Sequence, residues 1–392
     1  MSGVAVRAEW LGVGGFPSSP LRLGGLVVST PVVLAPMAGI TNAAFRQLCR
    51  EFGAGLYVCE MITSRGVVER DRKTLGMLQF DPGEVVRSVQ LYGVDPQTMA
   101  TATDILCNEY GVGHVDLNFG CPVPKVTRKG GGAALPYKRQ RLAAILSATV
   151  RAGQRYGVPV TMKTRKGIDD YHLTYLDAGR IAQDAGCAAI ALHGRTAAQA
   201  YSGEADWDAI GELVDAVDIP VLGNGDIWEA SDALRMVRHT GVAGVVIGRG
   251  CLGRPWLFRD LADAFAGRPG QLLPRLGEVA AMIRRHGMLL AQLSNEQHGL
   301  TDLRKHMAWY LKGFPVGGDI RRALAMVSSF DELDRQLARL DPDVGFPRSE
   351  VGRPRGRQGT PREKVALPDG WLDDTTGNSL DLGEAELGIS GG

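Results

Sequence analysis

His114-Val115-Asp116-Leu117-Asn118-Phe119-Gly120-Cys121-Pro122 reads as a short apolar strand that runs into a polar amide, a glycine and a thiol. It stops at a proline, whose missing N–H bars a continuing ladder. Cys121 therefore falls on a loop at a strand end, followed by Val123-Pro124-Lys125 and the run Gly130-Gly131-Gly132. A cysteine that only fills a core sits inside an apolar run, whereas this one lies beside a lysine and permissive glycines. Two readings stay open at this level: a functional thiol, or a turn residue that happens to be cysteine.

Working outward, the same kind of run recurs from residue 31 onward. Val32–Ala35, Leu56–Cys59, Val85–Leu91, His114–Asn118, Val158–Lys163, Ala189–His193, Ile219–Leu222 and Val245–Gly248 each end in Gly, Pro or a polar residue. Between them, Phe45–Phe52, Pro96–Tyr110, Lys138–Tyr156, Leu173–Ala185, Trp207–Ala216 and Ala230–Thr240 carry apolar residues at helical spacing. Eight buried strands alternating with helices predict a (β/α)8 TIM barrel over 21–268. An open doubly wound sheet has similar elements, but the count of eight and the lack of Gly-x-Gly-x-x-Gly after the first strand favour the barrel.

Outside the barrel, residues 1–20 are expected to be flexible, and Leu21–Val28 reads as a hairpin around Gly24-Gly25. Helical patterns at 276–293, 302–312, 319–330 and 331–340 predict a small all-α domain over 271–340. From 341 to 392 the composition changes. Arginines and a lysine stand among Gly and Pro up to 364, and only acidic charges follow, so a disordered tail is expected.

The composition, 44% hydrophobic and 22% charged over 392 residues, is that of a soluble globular protein. A net charge of +1 leaves nucleic-acid binding to local clusters. Six cysteines (49, 59, 107, 121, 187, 251) are scattered without a Cys-x-x-Cys pair, which argues against a disulfide framework or a metal site and for a reducing cytoplasm. No secretory signal and no apolar run of membrane-spanning length occurs, so no membrane association is expected.

Catalytic groups of such barrels come from the C-terminal ends of the strands. Here those ends deliver Pro36-Met37-Ala38-Gly39, Glu60-Met61, Gln90, Asn118 with Cys121, Lys163 and Arg165, His193-Gly194-Arg195-Thr196, Gly223-Asn224-Gly225-Asp226 and Gly248-Arg249-Gly250. The glycine-rich turns after the last two strands, with Asn224 and Arg249, match a barrel phosphate site, or else are plain tight turns. With Lys163, His193 and Gln90 they outline a site for a large planar cofactor with a phosphate tail. Flavin mononucleotide (FMN) fits that outline, with Gln90 and Lys163 at the polar edge of the ring and Met37 against it.

Ala35-Pro36-Met37-Ala38-Gly39-Ile40-Thr41-Asn42, Asn118-Phe119-Gly120-Cys121-Pro122 with Lys125, Gly130–Leu135, Lys163-Thr164-Arg165, His193-Gly194-Arg195-Thr196, Asn224-Gly225-Asp226 and Gly248-Arg249-Gly250 occur in this order. In that arrangement the chain, from about 20 to 335, resembles the bacterial tRNA-dihydrouridine synthases, most closely their B-type branch. The resemblance implies an FMN enzyme reduced by NADPH that passes hydride to C6 of a tRNA uridine while a cysteine donates a proton to C5. It makes Cys121 the proton donor and gives Asn118 a share in holding flavin and base. Pro36, Met37, Ala38, Gln90, Lys163, Asn224, Gly225, Asp226, Gly248 and Arg249 become flavin contacts, with His193 near phosphate or ring.

The glycines at 130–132 are expected to let the Cys121 loop close over an extruded base. Lys125, Arg165 and Arg304-Lys305-His306 are the expected RNA contacts, and a monomer is expected. Basic clusters of this kind are also ordinary solvated helix faces, and it is the barrel motifs beside them that favour RNA. Two departures stand out: Ala197 occupies a position often basic in the resembling sequences, and the tail after about 345 has no counterpart in the family core. The competing readings are an FMN barrel of the dihydroorotate or dihydropyrimidine dehydrogenase type, acting on a free base, and an RNA-binding protein with an idle barrel.

Overall fold

The computed structural model describes residues 19–268 and 270–376. The chain opens with an antiparallel hairpin, β1 (Leu21–Leu23) and β2 (Leu26–Val28). Eight parallel strands follow: β3 (Val32–Leu34), β4 (Leu56–Thr63), β5 (Ser88–Tyr92), β6 (His114–Phe119), β7 (Val160–Arg165), β8 (Ala189–His193), β9 (Val221–Asn224) and β10 (Gly244–Ile247). They pair in sequence order, and β10 closes on β3, so the expected barrel is what forms. Parallel strands are covered on both faces, and every residue of β4, β5, β8 and β10 is buried, polar ones such as Glu60 and Gln90 included.

Three strands start later than their apolar runs suggest, β5 at Ser88 because Val85 is exposed. β7 and β9 begin after Pro159 and Pro220, which have no N–H for the ladder, and they reach on into the polar residues Arg165 and Asn224. Strand ends that read as loops are therefore anchored backbone. Leu21, Leu23 and Val28 of the hairpin pack with Val33, Leu56, Ala189 and Leu222 of the barrel interior, closing its N-terminal end.

The helices of the wrapping layer are α1 (Ala43–Glu51), α2 (Ser64–Val68), α3 (Arg72–Gly76), α4 (Pro96–Tyr110), α5 (Pro124–Thr127), α6 (Arg139–Gln154), α7 (Tyr175–Asp184), α8 (Trp207–Ala216), α9 (Ala230–Thr240) and α10 (Leu257–Phe265). Their limits follow local chemistry. α4 starts with the Asp95 carboxylate accepting from the Gln97 and Thr98 N–H groups and with Pro96 in the first turn, and it stops at left-handed Gly111.

The helical region holds α11 (Leu276–Leu293), α12 (Glu296–Tyr310), α13 (Gly318–Leu324) and α14 (Phe330–Leu337). Its core of Val279, Ile283, Leu300 and Leu303 is continuous with Ala44 and Leu48 of α1 and with Trp256. Two parts of the chain are seamed together by one apolar cluster.

The tail differs from its expectation. Residues 377–392, like 1–18, lie outside the described residues, but 341–351 packs on the helical region and 352–376 runs on along the barrel. Val365 and Trp371 are buried with Ala133, Ala134, Ile168 and Ala197, and Arg355 is buried donating to the Leu252 and Trp309 carbonyls. Two well-spaced apolar anchors suffice to order a segment whose average composition is that of a linker. Among the described residues no helix is long and apolar enough to cross a membrane.

Candidate active site

Loops at the C-terminal strand ends enclose a cavity of about 370 Å³, a size typical of cofactor sites. Cys121 and every residue expected at the cofactor line it: Pro36, Met37 and Ala38 after β3, Gln90, Asn118, Lys163 and His193 on β5 to β8, Asn224, Gly225 and Asp226 at β9, Gly248 and Arg249 after β10. Residues far apart in sequence meet because each stands at the middle or in the C-terminal half of its strand, or in the loop that follows it.

The barrel interior orients the cysteine end of this cavity. Asn118 Oδ1 accepts from the Gly120 and Cys121 N–H groups at 3.1 and 3.0 Å, and its Nδ2 donates to Gln90 Oε1 at 2.8 Å. Gln90 Nε2 donates to Asp116 Oδ2 at 2.7 Å, and Asp116 Oδ1 accepts from the Thr161 hydroxyl at 2.7 Å. His114 Nε2 lies 3.0 Å from that hydroxyl and Nδ1 lies 2.7 Å from Ser88 Oγ. Burial pushes His114 down to about 4, so a neutral ring completes the chain as one donor and one acceptor. A continuous line of hydrogen bonds thus runs up the barrel and ends on the Cys121 peptide.

Charge is the second property of the site. Lys163 Nζ makes no hydrogen bond to a described residue and points its charge into the cavity region; burial, then repulsion from Arg165, draws its pKa down to about 8. Burial, followed by the charges of Arg165, Lys163, Arg195 and Arg249, holds His193 neutral. One Asp226 oxygen is already used, Oδ2 accepting from Arg195 Nη2 at 2.8 Å and from the Ala205 N–H at 2.7 Å, while the buried Oδ1 has no hydrogen bond and lies 3.6 Å from Arg249 Nη2. Arg249 lies over the rings of Tyr201 and Trp228 at 4.7 and 5.1 Å. A cavity lined by apolar side chains, an ammonium without a hydrogen bond to a described residue, a stacked guanidinium and cations in excess fits a phosphate-bearing planar cofactor. Lys163, Arg249, Met37 and the backbone at Gly225 and Gly248 are the groups that would hold it.

Burial pushes the Cys121 thiol up, outweighing the opposite pull of Arg165, Arg362 and Lys163. The thiol is partly exposed at the cavity wall and keeps its proton at neutral pH.

The expected RNA contacts separate. Lys125 and Lys305 are exposed, and a side chain placed at Gly39 would come within 3.8 Å of Lys305 Nζ, so this lysine reaches the barrel mouth. His306 does not reach the surface: it is 0% exposed, packed on Phe45 and His286, with neither ring nitrogen bonded. Arg165 is also buried, and donates to the carbonyls of Gly120, Thr196 and Ala200. Arg304 is half-buried and caps the Met326 and Val327 carbonyls. A basic residue satisfied by backbone carbonyls cannot be told from a free one by its letter; burial removes His306 from the expected RNA contacts, whereas Arg165 lines the cavity with its donors engaged on carbonyls.

The glycine run also differs from its reading as a hinge. Gly130 and Gly132 have φ +74° and +53°. A Cβ on Gly131 would stand 2.1 Å from the Tyr92 hydroxyl, and one on Gly132 would stand 2.5 Å from the Cys121 carbonyl oxygen. Gly131 and Gly132 are thus needed for close packing behind the thiol. Sequence reasoning passed over Tyr201, Trp228 and Arg357, which also line the cavity; each stands in a loop with no periodic signal.

The sequence model of the family described as "Dihydrouridine synthase (Dus)" matches residues 33–343. A probable tRNA-dihydrouridine synthase of Mycobacterium tuberculosis is 56% identical over 383 residues, covering 96% of this chain and 98% of that protein. One from Mycobacterium leprae is 54% identical, covering 92% of this chain and 100% of the relative. The tRNA-dihydrouridine synthase B of Pseudomonas aeruginosa is 39% identical, covering 82% and 94%.

Proposed function

The chain belongs to the dihydrouridine synthase family, and from that premise we propose how its site carries out flavin-dependent reduction of the C5–C6 double bond of uridine in tRNA. The observation that carries the reading is the meeting, at one cavity, of a protonated Cys121 with Lys163, Met37 and Arg249. When bound, FMN supplies the hydride that C6 receives, and NADPH is the reductant that restores it.

The chain's own residues then have separate tasks. Arg249, braced by Tyr201 and Trp228, takes the cofactor's phosphate end together with the turn at Gly248. Lys163 meets the polar edge of the ring, where a positive charge favours an electron-rich ring. Asn118 holds the Cys121 peptide, and the line of hydrogen bonds through Gln90 and Asp116 leaves it one orientation. Cys121 Sγ gives its proton to C5 as negative charge develops there, and the thiolate regains a proton from solvent. In this reading the exposed Lys125 and Lys305 take the tRNA phosphates that flank an extruded base. The chain works as a cytoplasmic enzyme in this reading, since all six cysteines are unpaired.

The test is direct. Purified protein, NADPH and tRNA transcribed without modifications are incubated, and dihydrouridine is located by mass spectrometry of the digested RNA. Dihydrouridine at defined positions is expected. Reduction of free uracil or orotate in its place would favour a free-base dehydrogenase.

A further inference from the structure

The family match ends at residue 343, yet the chain beyond it crosses the strand-end face and touches the loops that build the site. Gly356, at φ +69°, packs its backbone so closely that a Cβ would meet Leu252 at 2.8 Å. Next to it the Arg357 carbonyl accepts from Arg249 Nη1 at 2.9 Å, and Arg357 lines the cavity. Farther on, the Arg362 N–H donates to the Ala198 carbonyl at 2.8 Å. Its guanidinium Nη1 donates to the carbonyl of Pro122, the residue after Cys121. The segment is then locked. Trp371 Nε1 donates to the Ala134 carbonyl at 3.2 Å, and the carbonyls of Asp374 and Thr375 accept from Lys138 Nζ and from the Arg139 N–H.

Three elements therefore fix successive backbone groups around the thiol. Asn118 takes the Cys121 N–H, the Ala133 N–H donates to the Cys121 carbonyl at 3.1 Å, and Arg362 donates to the Pro122 carbonyl. The first two are local to the loop, and the third comes from the strap. Ala197 explains how the strap can lie there: it is fully buried under Val365 and Trp371, where a long basic side chain has no room.

We propose that residues 352–376 form a strap that completes the active site, and that Arg362 is a positioning residue which sets the reach of the Cys121 thiol toward C5. The proposal rests on the reading of Cys121 as proton donor. It does not require Arg362 to touch RNA or cofactor. Misplacing a reacting group by about 1 Å can cost roughly 100-fold in rate, so loss of one of three holds costs about tenfold or more.

The full-length protein with FMN bound is compared as wild type, Arg362→Ala, Arg362→Lys, Cys121→Ala and the double variant Cys121→Ala/Arg362→Ala. For Arg362→Ala the expected result is unchanged flavin content and unchanged flavin reduction by NADPH. The kcat for dihydrouridine formation falls about tenfold or more, and KM for tRNA stays within about twofold. Arg362→Lys, which can still donate to a carbonyl, recovers part of the loss. In the Cys121→Ala background Arg362→Ala adds nothing, because a positioning residue has no effect without the group it positions.

Trp371→Ala, which frees the strap without touching Arg362, gives the same split and stands in if Arg362→Ala loses its flavin. An unchanged kcat, a loss confined to KM, or an additive loss in the Cys121→Ala background would overturn the proposal; the second of these would make Arg362 an RNA contact. Full activity of Cys121→Ala alone would instead remove the proton-donor reading beneath it.

Discussion

Burial acts on Cys121 and Lys163 in the same sense, toward the neutral form, so it moves their pKa values in opposite directions. For Cys121 the result is a thiol that holds its proton through neutral pH. Cys121→Ala is expected to keep its flavin absorbance and lose about 100-fold or more of its rate on native tRNA, the usual weight of a general acid; single-turnover oxidation of the reduced protein by tRNA measures it. For Lys163 the free protein loses the proton near pH 8, whereas a bound ring edge that accepts from the ammonium raises that value. Binding of FMN therefore takes up a proton, and affinity falls as pH rises through and beyond about 8. Fluorescence titration with FMN at pH 7 and pH 9.5 should show weaker binding at the higher pH, and Lys163→Met should flatten the difference.

The loop after β6 is the element on which the site depends most. Asn118 and Cys121 are legible as a strand end and its loop, since a proline and a glycine punctuate the pattern. What Gly130, Gly131 and Gly132 do is not legible, because a glycine required by crowding and a glycine required for motion look alike in sequence. Here the crowding partners are Tyr92 and the Cys121 carbonyl. Gly132→Ala combines a left-handed φ with a contact that must give way. It is expected to displace the thiol and lower kcat while FMN stays bound through the remote β10 turn, as flavin content and turnover together would show.

At the scale of the whole molecule, the helical region and barrel share Ala44, Leu48, Trp256, Val279 and Ile283 in one apolar cluster. A chain ending at 270 would lose Val279 and Ile283 and expose Ala44, Leu48 and Trp256, the two large side chains at roughly 2 kcal/mol each. It should be insoluble, or melt about 10 °C or more below the full protein, as scanning calorimetry would report. RNA affinity should belong to the exposed cations. Lys125→Ala and Lys305→Ala each reduce the salt slope of tRNA binding by about 1, whereas His306→Ala changes stability instead, because that ring is core.

The sequence by itself determined the barrel and the list of groups at its mouth. Strand periodicity, prolines and polar strand ends are local properties, and closure of a parallel sheet brings the ends of all its strands to one face. Only the tertiary structure decided which of those groups are available. Whether Arg165 faces RNA or braces three carbonyls, whether His306 is a contact or core, and whether 352–376 is a free tail or a strap over Cys121 all depend on burial. Burial is set by partners up to about 240 residues away, as Pro122 and Arg362 are, and no local pattern records it.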